Sequence, residues 1–105
     1  MTRKNDPWKA LSDETRREMM DMLLEQGELS AGAFVEAFEM TQPAVSLHLR
    51  VLREAGMVSA RRDGRRQLYR LEPDALRVFK DWITRYDRFW DERLDALGAL
   101  LDEEG

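Results

Sequence analysis

The stretch Met40–Leu71 reads MTQPAVSLHLRVLREAGMVSARRDGRRQLYRL and decides the fold. Thr41 is an N-cap residue, and Pro43 fits the first turn of a helix, where its missing N–H is not needed. On a helical wheel of residues 42–55, Ala44, Val45, Leu49, Leu52 and Ala55 cluster on one side. Gln42, Pro43, Ser46, Arg50, Arg53 and Glu54 cluster on the other, with Leu47 and Val51 at the margin. Gly56 follows as a left-handed cap. The period then changes from helical to extended. Met57–Arg62 and Arg65–Leu71 flank Asp63-Gly64, a dipeptide that predicts a type I′ hairpin with its tip at that pair. An amphipathic helix with arginines on its polar side, followed by a basic hairpin, suits double-stranded DNA. The helix fits the major groove and the hairpin the flanking backbone.

Charge supports this reading. The 105 residues carry a formal net charge of −4. From Ser46 to Arg70, however, seven arginines face only Glu54 and Asp63, a local net of +5. Residues 1–45 total −4 and residues 71–105 total −5. Affinity for phosphate follows the local field, not the sum.

Outward from this stretch, Asp6-Pro7 opens a short helix carrying Trp8 and Leu11. Ser12 is the expected cap of a second helix, whose inward face is Met19, Met20, Leu23 and Leu24, and Gly27 ends it. Glu28-Leu29 reads as a brief strand. Ser30 starts a third helix through Phe38, with Phe34, Val35 and Phe38 inward. Glu72-Pro73-Asp74 opens a last helix, expected to run unbroken over about 73–102. Its apolar positions 76, 79, 83, 86, 90, 94, 97 and 101 recur at steps of three and four, close to a heptad seam. A helix of that length, about 45 Å, exceeds what so small a domain can cover. The surplus face, with Phe79, Trp82, Ile83, Tyr86, Phe89, Trp90, Leu94 and Leu97, is therefore expected to pack on a second copy. Trp8 and Leu11 are expected to join it. The expected class is mainly α (α+β): a winged helix-turn-helix of five to six helices, a two-stranded β-hairpin wing and a long C-terminal dimerisation helix, all in one domain.

Gln42 and Ser46 are short hydrogen-bonding groups near the N-terminal end of the fourth helix, the part that usually reaches base edges. Arg50 and Arg53 lie further along, within reach of base or phosphate. Leu47 either touches a thymine methyl or packs under a neighbouring loop. Arg61, Arg62, Arg65 and Arg66 are the candidate phosphate contacts of the wing. His48, the one histidine, falls on the apolar side of the wheel and reads as structural. With no cysteine in the chain it cannot close a zinc site. There is no glycine-rich phosphate loop and no nucleophile–base pair, so an enzyme is disfavoured. No cofactor is expected. No run approaches the ~18 apolar residues of a membrane span and no signal core precedes the first helix, so a cytoplasmic protein is expected.

The segment TQPAVSLHLRVLREAGMV, preceded by DPWKALSDETRREMMDML at residues 6–23, resembles the winged-helix repressors of the arsenical-resistance-repressor (ArsR) family. The similarity covers about residues 6–71. It implies a homodimer built on the first and last helices, with two recognition helices on a roughly palindromic operator. By match to the motif, DNA-reading positions fall on Thr41, Gln42, Ser46, His48 and Arg50, with the wing arginines on the backbone. The resemblance thus puts His48 at or beside the reading surface. Many members of the family sense metals through cysteines before the recognition helix, or through histidines and carboxylates in the last helix. Here residues 31–40 hold no cysteine and no histidine follows residue 48. Asp81, Asp87, Asp91, Glu92 and Asp95 offer oxygen alone, a poor set for a transition metal. The chain therefore reads as a metal-independent branch, relieved by a small-molecule ligand, a partner protein or its own concentration. A second reading keeps the fold but makes it a protein-interaction module, docking a partner through the aromatic last helix.

Overall fold

The computed structural model describes residues 6–104. They fall into two compact units, one extending to Ala75 and the other beginning at Leu76. The elements in order are α1 (Pro7–Ala10), α2 (Glu14–Gln26), β1 (Glu28–Ser30), α3 (Ala31–Phe38), α4 (Gln42–Glu54), β2 (Val58–Asp63), β3 (Arg66–Leu71), α5 (Pro73–Thr84) and α6 (Asp87–Glu104).

Most boundaries follow from capping chemistry. The Asp6 carboxylate accepts from the Lys9 N–H at 2.8 Å, with Pro7 opening α1. Asp13, rather than Ser12, caps α2, accepting from the Arg16 N–H at 3.1 Å. Ser12 is spent on the preceding helix, where its hydroxyl donates to the Lys9 carbonyl at 2.7 Å. Gly27 ends α2 at φ +87°, and Gly56 follows α4 at φ +77°, conformations that a Cβ would oppose. The Thr41 hydroxyl accepts from the Ala44 N–H at 3.3 Å, as expected of that cap. Ser30 holds the cap conformation of α3, but its side chain makes no capping bond.

The sheet is antiparallel with order β1-β3-β2, three strands where a two-stranded wing was expected. The brief strand at Glu28–Ser30 joins the wing through pairs such as Leu29 with Tyr69, so the wing is rooted in the body of the unit. The turn also differs. Asp63 pairs with Arg66, which leaves Gly64-Arg65 as the two-residue loop. Only Gly64 has positive φ, at +64°, which fits a type II′ turn rather than type I′. Asp63 stays in the ladder, ion-paired to Arg66 at 3.5 Å, and Arg65 becomes the tip.

The core of the first unit is apolar. Met19 and Leu23 of α2, Phe34 of α3, and Val45, Leu49 and Leu52 of α4 are fully buried, together with Met57. Val35 and Phe38 are half-buried. Leu24 was expected inward but is 73% exposed, because nothing among the described residues covers the last turn of α2 on that side.

In the second unit the expected single helix over 73–102 is two helices. The backbone tightens at Arg85-Tyr86, where N–H groups donate three residues back, to Trp82 at 3.3 Å and to Ile83 at 2.9 Å. The Thr84 hydroxyl takes the Lys80 carbonyl at 2.7 Å, a back-bond that bends or ends helices. Asp87 then sits in the first turn of α6, where its carboxylate suits the positive end.

Candidate nucleic-acid interface

Helices α3 and α4 are joined by Glu39-Met40-Thr41, a helix-turn-helix. The apolar stripe Val45, Leu49, Leu52 buries α4 against α1, α2, α3 and β2. That burial fixes which face looks out. Gln42, Pro43, Ser46, Leu47, Arg50 and Arg53 are all exposed, in agreement with the wheel. Leu47 is 60% exposed, so packing beneath a loop does not occur.

Strand register sorts the wing residues by face. Val58, Ala60 and Arg62 pair with Leu71, Tyr69 and Gln67. Since Val58 and Tyr69 are buried, this row is the inner face. Ser59, Arg61 and Asp63, paired with Arg70, Leu68 and Arg66, form the outer face with Glu28 and Ser30 of β1.

The wing and the exposed face of α4 flank a polar trough, which the inner-face residues Gln67 and Tyr69 and the turn residues Arg65 and Arg66 line on the wing side. One end, of about 480 Å³, is lined by the start of α3, by Gln42 and Ser46, and by Arg65, Arg66, Gln67 and Tyr69 of the wing. The other, of about 490 Å³, is lined by Ser46, Arg50, Arg53, Glu54 and Tyr69. Ser46 and Tyr69 line both, so the two adjoin. The Tyr69 hydroxyl donates to the Gln67 side chain at 3.1 Å. Tyr69, Gln67 and the start of α3 had not been expected as lining. The alternation along β3 was the available signal for the first two.

The arginines are not equivalent. Arg50 donates to Glu54 at 3.0 Å, one turn along α4. Arg61, expected on DNA, lies on the outer face and grips Glu28 with two bonds, 2.7 and 2.9 Å, that cross β3. The Arg61 hydrogen bond holds the Glu28 carboxyl below its ordinary range despite some desolvation, and Glu28 in turn raises the Arg61 guanidinium. Arg70 donates to the Ser59 hydroxyl at 3.3 Å. Among the described residues, Arg53, Arg62 and Arg65 have no ion-pair partner.

His48 is half-buried rather than core. Its Nδ1 lies 3.2 Å from Nη1 of Arg16 on α2. Arg16 also donates to the carbonyls of Ala10 at 2.6 Å and Lys9 at 3.3 Å, and its Nη1 is 3.9 Å from the Asp13 carboxylate. At Asp13 desolvation raises the pKa, but the Arg16 N–H and the charge of the Arg16 guanidinium outweigh it and lower the carboxyl. Among the described residues, no group of three or more His, Cys, Asp or Glu is placed to hold a metal ion, and no helix is long and apolar enough to cross a membrane.

The residues expected between copies divide between the units. On the first, Trp8 is 45% exposed and Leu11 half-buried. On the second, Phe79 is half-buried, while Trp82, Ile83, Tyr86, Phe89, Trp90, Leu94 and Leu97 are exposed by 43–63%. Trp82 meets Tyr86 edge-on with centroids 5.2 Å apart, and Phe89 meets Trp90 likewise at 5.4 Å.

The family description "Bacterial regulatory protein, arsR family" matches residues 13–60, the span of α2 to the middle of β2. An HTH-type transcriptional regulator of Mycobacterium tuberculosis is 39% identical over 98 residues, 93% of this chain and 88% of that protein. This chain belongs to the ArsR family. The transcriptional repressor SdpR of Bacillus subtilis is 35% identical over 82 residues, covering 78% of this chain and 90% of SdpR. A solution structure from Mycobacterium bovis, described as a homodimeric winged helix-turn-helix DNA-binding domain and a possible ArsR-family regulator, superposes with a TM-score of 0.62. It is 34% identical and covers 76% of either chain. ArsR-family proteins are transcriptional regulators, not enzymes, and the winged helix-turn-helix with its β wing is the fold seen here.

Proposed function

We propose that this ArsR-family protein is a cytoplasmic transcriptional repressor that binds a palindromic DNA operator as a homodimer and carries none of the family's metal-sensing sites. One observation carries the DNA assignment. The exposed face of α4 and the wing line two adjoining polar hollows that share Ser46 and Tyr69, with Arg53 at one and Arg65 at the other, neither ion-paired among the described residues. Gln42 and Ser46 stand at the N-terminal end of α4, short enough to read base edges. Leu47 offers a methyl-sized apolar contact for thymine. Thr41, Pro43, His48 and Arg50 complete the reading helix. Arg62, Arg65 and Arg66 of the wing hold phosphates and set register.

What supports the homodimer is the exposed apolar face of the second unit, together with the homodimeric relative. An apolar stripe of that extent is costly in water and suits a self-complementary interface. Two reading heads related by a twofold axis call for a palindrome. The absence of cysteine and the single histidine, already bonded to Arg16, support metal independence. The same aromatic face supports a second reading, a docking surface for a different protein. Sedimentation separates the two, since a stable homodimer at low micromolar concentration occupies that face.

Footprinting the purified protein on the DNA upstream of its own coding sequence tests the proposal, with zinc, nickel or arsenite added in parallel. A twofold-symmetric protected site, unchanged by metal, is expected. Release by any of the three overturns metal independence, and no protected site overturns the repressor assignment.

A further inference from the structure

A guanidinium has five N–H donors, no acceptor, and no accessible deprotonated form. The contact of 3.2 Å between Arg16 Nη1 and His48 Nδ1 therefore requires the ring nitrogen to supply the lone pair. A neutral imidazole carries one proton, so that proton is on Nε2. We infer that Arg16 is a positioning residue for DNA reading: it locks His48 in the Nε2–H tautomer, so that the recognition helix presents a hydrogen-bond donor, and only a donor, at that position.

The surroundings suit the task. Arg16 is 14% exposed and is held from three directions, by the carbonyls of Lys9 and Ala10 at the end of α1 and by Asp13 at the cap of α2. A guanidinium tethered in this way cannot swing aside. No other hydrogen bond to the His48 ring is made among the described residues, and no buried side-chain nitrogen or oxygen among them lacks a partner, so Nε2 keeps access to solvent. Nε2 is thus free to bond while Nδ1 is committed. Setting one ring nitrogen through the bond made by the other is how histidine tautomers are chosen at metal sites, and the same logic applies to a reading head.

The partner's chemistry follows, and this step rests on the assignment of α4 as the helix that enters the DNA groove. An N–H donor pairs with an acceptor: guanine O6 or N7, adenine N7, thymine O4, or a phosphate oxygen. It does not pair with the amino groups of cytosine or adenine. His48 therefore reads an acceptor, and Arg16, without touching DNA, decides that it does.

The test has two arms. His48 is the single histidine, so long-range ¹⁵N–¹H spectra of the full chain show one imidazole. A protonated Nε2 beside an unprotonated Nδ1 is expected in the free protein. Arg16→Gln, its folding checked by its amide spectrum, is expected to give mixed tautomers. A wild-type ring protonated on Nδ1, or already mixed, overturns the inference without recourse to any variant. In the second arm, affinity is measured on the footprinted duplex across all single base-pair changes and all single methylphosphonate replacements. Wild type is expected to show a penalty of about five- to a hundredfold at one base pair or phosphate that His48→Ala does not show. Arg16→Gln is expected to lose the same penalty while its salt dependence stays that of wild type. If His48→Ala matches wild type at every position, the tautomer stands but its role in reading falls. If no duplex is bound at all, the repressor assignment itself fails.

Discussion

Arg65→Ala and Arg61→Ala are expected to behave differently, although both arginines belong to the same basic hairpin. Arg65 is the second residue of the two-residue turn, exposed, and without an ion-pair partner among the described residues. Arg61 is on the opposite face of the sheet from Tyr69 and is held at both ends of its guanidinium by Glu28. A cation on a phosphate releases about 0.9 counterion, and a dimer carries two wings. Arg65→Ala should therefore flatten the slope of log K against log salt by about 1.8. Between 50 and 200 mM salt the wild-type affinity should accordingly fall about twelvefold more than that of the variant. Arg61→Ala should leave the slope unchanged, because its charge is already neutralised. Fluorescence anisotropy of a labelled operator duplex at four or five salt concentrations measures both. If Arg61→Ala flattens the slope as much as Arg65→Ala, the Glu28 clamp opens on DNA and the sorting of wing residues by face is wrong.

Three further outcomes follow from the same geometry. Phe34→Ala empties a site with no solvent exposure and should cost about 3–5 kcal/mol in denaturant unfolding. Thr41→Ala should lose about 1 kcal/mol as its capping bond goes, whereas Ser30→Ala, with no such bond to lose, should cost much less. Glu28, depressed in the folded state by Arg61, contributes stability above its ordinary value of 4.5 and loses it as pH falls through the lower folded value. The difference between wild type and Glu28→Gln in chemical denaturation should shrink over that acid window, and a difference constant with pH would refute the pairing.

What the sequence made legible was local. Asp6, Thr41, Gly27 and Gly56 mark helix ends through bonds and dihedral angles that span at most four residues. The wheel of α4 separates the same faces that burial separates. What it hid was non-local, or lay in a choice between near-equal local options. Glu28 and Arg61 are 33 residues apart, and Arg16 and His48 are 32 apart, so nothing in either neighbourhood announces the pair. A three-residue β1 carries too little pattern to reveal that it pairs with β3. Asp63-Gly64 allowed two turn registers, and the Asp63–Arg66 pair decides between them. The break at Arg85-Tyr86 has no proline or glycine to mark it. It arises where Thr84 bonds back to Lys80 and Asp87 can start a new helix, within a heptad seam that runs through both helices. The contacts that distinguish a held arginine from an available one were therefore visible only in the fold.

The central claim is that α4 reads sequence while the wing supplies charge. It is tested most directly by competition between the footprinted duplex and a scrambled duplex of equal length, at one salt concentration, for wild type, Ser46→Ala and Arg65→Ala. Wild type should prefer the footprinted site by about a thousandfold or more. Ser46→Ala should lower that ratio, and Arg65→Ala should weaken both duplexes alike and leave it intact. Equal affinity of the wild-type protein for the two duplexes, or loss of the ratio through Arg65 and not through Ser46, would contradict it.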